Sequence, residues 1–243
     1  MLIVGASSAI AKALARRLAD SRFNLLLAAR DLEDLDHCAS DLRLRYGVQT
    51  QTLPFEATDL QHHETFWNKC VALTGGRLEG VILLQGSLPL QSAAQQDLAL
   101  LGQTATINYT SPVTLLTLAA NHFEPLKRGF LCAFSSVAGD RGRQSNYAYG
   151  SAKAGLTTFM QGLRQRLSKS SVTVLTVKPG FVDTAMTWGL AGMFLVASPD
   201  RVAKDVLTAL HRRRGEIYTP WFWRYIMLII RHIPPFVFNR LKL

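Results

Sequence analysis

The chain has 243 residues, 48% of them hydrophobic, and a formal net charge of +10. That apolar content excludes a disordered chain and suits one large α/β domain, or at most two small ones. Three cysteines, Cys38, Cys70 and Cys132, lie far apart with no paired or metal-ligand spacing, which argues for a reducing compartment and structural thiols, against a disulfide framework, and for no metal site.

In chain order, Leu2–Val4 reads as a buried strand. The start is too short and too uncharged for a signal peptide. Residues 8–18 follow as a helix, with Ile10, Leu14 and Leu18 spaced by four. The spacing then predicts a strand over 24–29, a helix over 31–46 and a strand over 49–55. A fourth strand is expected over 81–84, and one long helix over 103–126 with Pro112 as a bend or local start. Phe130–Phe134 reads as a fifth strand, 146–167 as a helix and 172–177 as a sixth strand. Ser198-Pro199-Asp200 opens another helix, since Ser caps, Pro fits the first turn and Asp complements the dipole. Glu216–Thr219 reads as a last strand. No run reaches the ~18 apolar residues that span a bilayer; residues 221–230 are broken by Arg224.

Strands that are apolar throughout, alternating with amphipathic helices, imply a parallel sheet covered on both faces. The fold expected is a single doubly wound Rossmann-type α/β domain over 1–243, with about seven mostly parallel strands. Its binding crevice should lie where the strand order reverses. The first turn reads Gly5-Ala6-Ser7-Ser8-Ala9-Ile10-Ala11. Gly5 permits a tight turn, and the helix that follows offers free N–H groups, with the Ser7 and Ser8 hydroxyls, to a phosphate. A plain structural turn capped by Ser8 is the alternative. Arg30 follows the second strand, where a cation suits a ribose 2′-phosphate, so NADPH is favoured over NADH.

Tyr149 and Lys153 are four residues apart on one predicted helix face. An ammonium about 4 Å from a phenol contributes roughly 4 kcal/mol at an effective dielectric near 20, about three pK units. That would bring a tyrosine toward neutral pH, where proton exchange with an alcohol is efficient. Ser136, at the end of the fifth strand, is placed to hold a substrate oxygen, and Asn108, on the long helix, to anchor a water chain to Lys153.

On these motifs the chain resembles the short-chain dehydrogenase/reductase family over nearly its whole length. Ser135-Ser136-Val137-Ala138-Gly139 and Tyr149-x-x-x-Lys153 resemble its active-site motifs, and Asn108 its helix asparagine. The first turn resembles its glycine motif, departing from it at Ala9 and Ala11. Pro179-Gly180-Phe181-Val182-Asp183-Thr184 resembles the segment whose equivalents of Val182 and Thr184 hold the nicotinamide carboxamide. Glu56-Ala57 stands where the family has an acid near the adenine, and Gln85-Gly86 where it has an Asn-Asn-Ala-Gly run. The resemblance implies Asn108, Ser136, Tyr149 and Lys153 as the catalytic set. It implies cofactor contacts at Gly5, Ser7, Ser8, Ile10, Arg30, Glu56, Ala57, Gly86, Tyr149, Lys153, Val182 and Thr184. Hydride would pass to a carbonyl carbon while Tyr149 protonates the oxygen.

Residues 185–197 are apolar with glycines and read as a lid over a hydrophobic substrate or as a packed structural segment. Residues 220–243 read as an apolar, aromatic and basic extension. Residues 201–243 hold nine Lys/Arg against two acids, seven of the ten net charges. Such a helix buries itself in a core, a partner subunit or a membrane interface. With this tail, the chain is similar to the decaprenylphosphoryl-2-keto-ribose reductase group. That resemblance implies a keto sugar on a polyprenyl phosphate and a flavin-dependent oxidase partner.

Three readings remain open: a glycolipid keto-sugar reductase at the inner face of the membrane, a soluble cytoplasmic reductase of ketoacyl, steroid-like or other apolar carbonyls, and a non-catalytic dinucleotide-binding protein. A homo-oligomer is expected. A nucleic-acid partner is not, because the charge cluster carries no binding motif.

Overall fold

Seven strands, β1 (Leu2–Val4), β2 (Leu25–Ala29), β3 (Thr50–Pro54), β4 (Gly80–Leu83), β5 (Phe130–Phe134), β6 (Thr173–Pro179) and β7 (Glu216–Thr219), form one sheet in the order β3-β2-β1-β4-β5-β6-β7. Every neighbouring pair is parallel. The computed structural model describes residues 1–189 and 192–241. Leu190 and Ala191 of the expected lid, and Lys242 and Leu243 of the expected extension, lie outside them.

The uninterrupted apolar strands follow from burial on both faces, because successive side chains point to opposite sides. Ile3, Leu25, Leu27 and Ile82 join the helices α1 (Ala9–Asp20), α2 (Leu32–Tyr46) and α8 (Pro199–His211) in one core layer. Leu2, Val4, Leu26 and Val81 join Trp67 of α3 (His63–Leu73), Leu115 of α6 (Ser111–Leu126) and Leu156 of α7 (Tyr147–Arg166) in the other. The caps read at Ser8 and Ser198 are in place, and Asp31 caps α2. The Ser8 hydroxyl accepts from the Ala11 amide, Asp31 from Asp34 and Ser198 from Arg201. The order reverses between β1 and β4, so a crevice opens at their carboxyl ends.

Three local findings depart from the sequence reading. The helix α3 was not expected. A short α4 (Gln91–Gln96) precedes α5 (Leu98–Ala105), which starts earlier than residue 103 because the Asp97 carboxylate accepts from the Ala99 and Leu100 amides at 2.9 and 3.0 Å. The expected single helix over 103–126 is interrupted by a π-helical turn at Thr106–Thr110, where the Ser111 amide reaches back five residues to the Thr106 carbonyl. Beyond β7, α9 (Trp223–His232) packs Trp223 and Met227 against Val137 and leaves its other face exposed, and α10 (Pro235–Phe238) follows it.

Candidate active site

β5 ends at Phe134, and two hydroxyls fasten the chain just beyond it. Ser135 Oγ donates to the Lys153 carbonyl at 2.8 Å and shares a 2.7 Å hydrogen bond with Thr157 Oγ1, joining the strand end to α7. Ser136 is extended, and its Oγ accepts from the Ala138 amide at 3.1 Å, opening a tight turn over Val137–Gly139. That turn lies directly on α7. A Cβ at Gly139 would meet the Lys153 backbone at 2.8 Å, and one at Gly150 would meet the Ala138 carbonyl at 2.8 Å. Two glycines therefore permit the approach that brings the Ser136 hydroxyl into hydrogen-bonding contact with the Tyr149 phenol.

Lys153 is buried and donates from Nζ to the Phe134 carbonyl at 2.9 Å. Its Nζ lies 5.6 Å from the Tyr149 ring centroid. Here the electrostatic expectation is corrected. Burial pushes the Tyr149 phenol up to about 12, with the Ser136 hydrogen bond opposing it, and burial pushes the Lys153 ammonium down to about 7. Desolvation decides both shifts, because a phenolate or an ammonium deprived of water is disfavoured against its neutral form.

Asn108 sits fully buried inside the π-helical turn. Its Nδ2 donates to the Ser87 and Thr104 carbonyls at 2.7 and 2.9 Å, and its Oδ1 accepts from the Ser87 amide at 3.2 Å. The side chain thus holds the loop after β4. Gly86 faces this group: a Cβ there would lie 3.1 Å from Asn108 Oδ1 and 3.7 Å from Lys153 Nζ. Asn108 and Lys153 therefore converge on one small opening beside Gly86.

A cavity of about 500 Å3 is lined by Ser7, Ser8 and Ile10 at the start of α1 together with Ser136, Tyr149, Lys153, Val182 and Thr184. The Ala9 and Ile10 amides precede the first intrahelical hydrogen bond and have no partner among the described residues. Gly5 does not line the cavity. Its φ of +78° and a Cβ position only 2.6 Å from the Gln85 amide nitrogen make glycine necessary for the β1 turn to sit against the end of β4. A capped helix terminus with free amides, a glycine-permitted crevice and a floor at Gly86 fit a dinucleotide phosphate and its nicotinamide arm.

Arg30 and Glu56 lie apart from this cavity, in a hollow of about 420 Å3 with Phe55, His62 and His63. The Arg30 side chain is exposed and makes no hydrogen bond or ion pair with a described residue. Glu56 accepts from the Thr58 amide and hydroxyl at 3.0 and 2.8 Å, which with nearby Arg30 holds its carboxyl below the ordinary range. Ala57 is buried in the core rather than in the hollow.

The structure adds residues the motifs did not indicate. Trp223 of α9 forms part of the cavity wall. Its indole lies so close to Gly180 that a Cβ there would collide with the ring. Arg143 also lines the cavity, with its Nε buried and unpartnered among the described residues. Asp140, next after the Ser136 turn, is tied from below: Lys178 Nζ lies 2.9 Å from its Oδ1, and the Tyr218 hydroxyl donates to its Oδ2 at 2.7 Å. A lysine in β6, a buried strand with no other charged residue, is the sequence signal that would have revealed this buried pair. Of the expected lid, Ala185, Met186, Thr187 and Trp188 line the cavity, and Phe194 packs on Trp223 at 5.3 Å between ring centroids.

A family model described as short chain dehydrogenase matches residues 1–192. An uncharacterized oxidoreductase of Mycobacterium tuberculosis is 37% identical over 241 residues, covering 99% of this chain and 96% of the relative. Another from Streptomyces coelicolor is 33% identical over 243 residues, covering 99% and 95%. Among solved structures, a short-chain dehydrogenase from Sphingobium yanoikuyae in complex with NADPH is 26% identical, with a TM-score of 0.78 over 96% of each chain.

Proposed function

The chain belongs to the short-chain dehydrogenase/reductase family, oxidoreductases that act on CH–OH and C=O groups with NAD(P), and on that premise we propose that it reduces a bulky apolar ketone with NADPH. The observation that carries this reading is the meeting of Ser136, Tyr149 and Lys153 in one cavity that also takes in Ser7, Ser8 and Ile10 at the start of α1.

In this reading Ser7, Ser8 and Ile10 hold the pyrophosphate, Arg30 the 2′-phosphate, and Glu56 and Ala57 the adenine end. Gly86 and Lys153 border the nicotinamide ribose, and Val182 and Thr184 hold the carboxamide. The bound nucleotide supplies the hydride. Ser136 Oγ and the Tyr149 hydroxyl hold the carbonyl oxygen between them. With its pKa raised, the phenol is fully protonated at neutral pH, so the donor is loaded before the oxygen gains negative charge. Lys153, with its ammonium near 7, exchanges a proton at neutral pH beside the phenol that gives one up. Asn108 holds the Ser87 loop that frames this corner.

Leu88, Phe181, Met186, Trp188 and Trp223 make the substrate side of the cavity largely apolar. Arg143, whose buried Nε has no hydrogen-bond partner among the described residues, favours a ketone that also carries an anionic group. A keto sugar on a polyprenyl phosphate belongs to that class, and a steroid-like neutral ketone does not. The exposed Leu98, Leu101 and Tyr109 offer a surface for the expected homo-oligomer. We place the enzyme in the cytoplasm. NADPH oxidation is to be measured against paired ketones, one of each pair anionic and one neutral, including keto sugars on lipid phosphates. Turnover should be faster for the anionic member, and equal rates for both would remove Arg143 from the account. No oxidation of NADPH with any ketone, nor reduction of NADP with the matching alcohols, would sink the reductase reading.

A further inference from the structure

Between α8, β7 and α9 lies a second groove, of about 830 Å3, outside the catalytic cavity. Arg212 and Arg214 reach it from the end of α8, Arg224 and Arg231 from α9, and Trp221 and Tyr225 complete its wall. None of these four arginine side chains has a hydrogen bond or ion pair with a described residue. The two acids in the groove are already engaged. Asp205 accepts from Arg201 at 3.1 Å and from the Thr219 hydroxyl at 2.9 Å, and Glu216 pairs with Lys178 at 3.2 Å. From residue 217 to 241 the chain contains no Asp or Glu. The groove is therefore a concentrated, unneutralised positive charge.

Beside it, α9 and the turn that leads into it present large apolar side chains to solvent. Trp221 is 63% exposed, Tyr225 59% and Ile229 68%. Such a strip next to unpaired guanidinium groups is the surface of a helix that lies in a lipid headgroup layer. At ten residues α9 is about 15 Å long, half a hydrocarbon core, and no helix among the described residues is long and apolar enough to cross a membrane. A second copy seated on this face would set the arginine cluster against its own twin across a two-fold axis. A polynucleotide would use the charge and aromatics but leave Leu228 and Ile229 uncovered.

We propose that the arginine groove and the outer face of α9 dock the protein on an anionic phospholipid surface. The position has a consequence for the catalytic cavity. Trp223, on the inner face of α9, forms its wall, and Phe194 of the 185–197 segment packs on Trp223. Trp188, Phe194, Leu195 and Val196 are exposed close by in the chain. Docking through α9 brings this apolar rim toward the lipid, a geometry suited to a substrate that resides there. The docking itself does not depend on the reductase reading, and its test is binding rather than turnover.

The full chain is to be sedimented with vesicles of phosphatidylcholine alone and of phosphatidylcholine mixed equally with phosphatidylglycerol. It should bind the mixed vesicles only, and release at high salt. Arg224→Gln with Arg231→Gln should weaken partitioning about 25-fold, about fivefold for each arginine, whereas the same positions changed to Lys should keep it. Trp221→Ala with Tyr225→Ala should weaken it too, with charge unchanged. Circular dichroism and NADPH binding matching the unmodified chain show that each variant is folded. Absence of binding to the mixed vesicles overturns the proposal. So does release by inorganic pyrophosphate with no effect of the aromatic substitutions, which would mark a site for a soluble phosphate. Tighter retention of a single-stranded oligonucleotide than of vesicles, or a dimer that the same substitutions dissociate, overturns it equally.

Discussion

Replacing Lys178 by Met isolates the buried charge beneath the Ser136 turn. Lys178 and Asp140 side chains are each 4% exposed, and their 2.9 Å contact is the only ionic partner of Asp140 among the described residues. Met removes the cation and leaves a buried carboxylate whose remaining side-chain hydrogen bond among the described residues is from the Tyr218 hydroxyl. Stranding one member of a buried pair costs about 3–5 kcal/mol. Glu216 is 31% exposed and regains water, so it adds little. Against a typical stability of about 5–15 kcal/mol, the variant remains folded with its urea midpoint lowered by roughly 1–2 M. Asp140→Asn added to Lys178→Met removes the stranded charge and should recover more than half of the loss. The partners raise the Lys178 ammonium above its ordinary 10.5. Its contribution is thus complete below its unfolded-state value and declines only as pH rises through the raised one. A single-variant loss under about 1 kcal/mol, or losses that simply add in the double variant, would refute this reasoning.

Two further outcomes are expected at the site. Arg30→Ala should raise the dissociation constant for NADPH by about 10- to 100-fold, the worth of a charge-assisted hydrogen bond, and leave NADH nearly unchanged; equal weakening of both, measured by fluorescence titration, would contradict the 2′-phosphate assignment. Lys153→Met should abolish turnover yet stabilise the fold near neutral pH. Because burial lowers the ammonium from 10.5 to about 7, the unfolded chain holds this proton across that window while the folded chain sheds it, so stability rises with pH there. The Met variant should lose that slope and gain about 1–3 kcal/mol at pH 7 in urea denaturation, whereas an unchanged slope would show that Lys153 is not the group responsible.

The sheet and most helices were legible because their signals are local. Apolar runs of three to five residues mark β1, β2, β4 and β5, and Ser8, Asp31 and Ser198 sit at helix starts, where their side chains cap. The helix α3 was hidden because its buried face is His63, Trp67 and Cys70. The spacing is helical, but the residue types do not form an aliphatic stripe. The π-helical turn was not legible because its register is set by Asn108 reaching the distant Ser87 loop, a demand no neighbouring residue announces. Ser136, Tyr149 and Lys153, which line one cavity, could be picked out because they belong to short motifs. Trp223 and Arg143 could not, since only the return of the chain through β7 and α9 brings the indole over Gly180. The mutual electrostatics of Tyr149 and Lys153 were misjudged for a related reason, because spacing gives the pair but not the depth of burial that decides both pKa values.

The central claim is that Tyr149 gives the proton while the rest of the crevice holds the nucleotide. Tyr149→Phe, assayed side by side for NADPH oxidation with a ketone the unmodified chain reduces and for NADPH binding by fluorescence, tests it most directly. The account predicts loss of turnover by about a thousandfold or more with the NADPH dissociation constant within about threefold of the unmodified chain. A variant that keeps most of its turnover would contradict it.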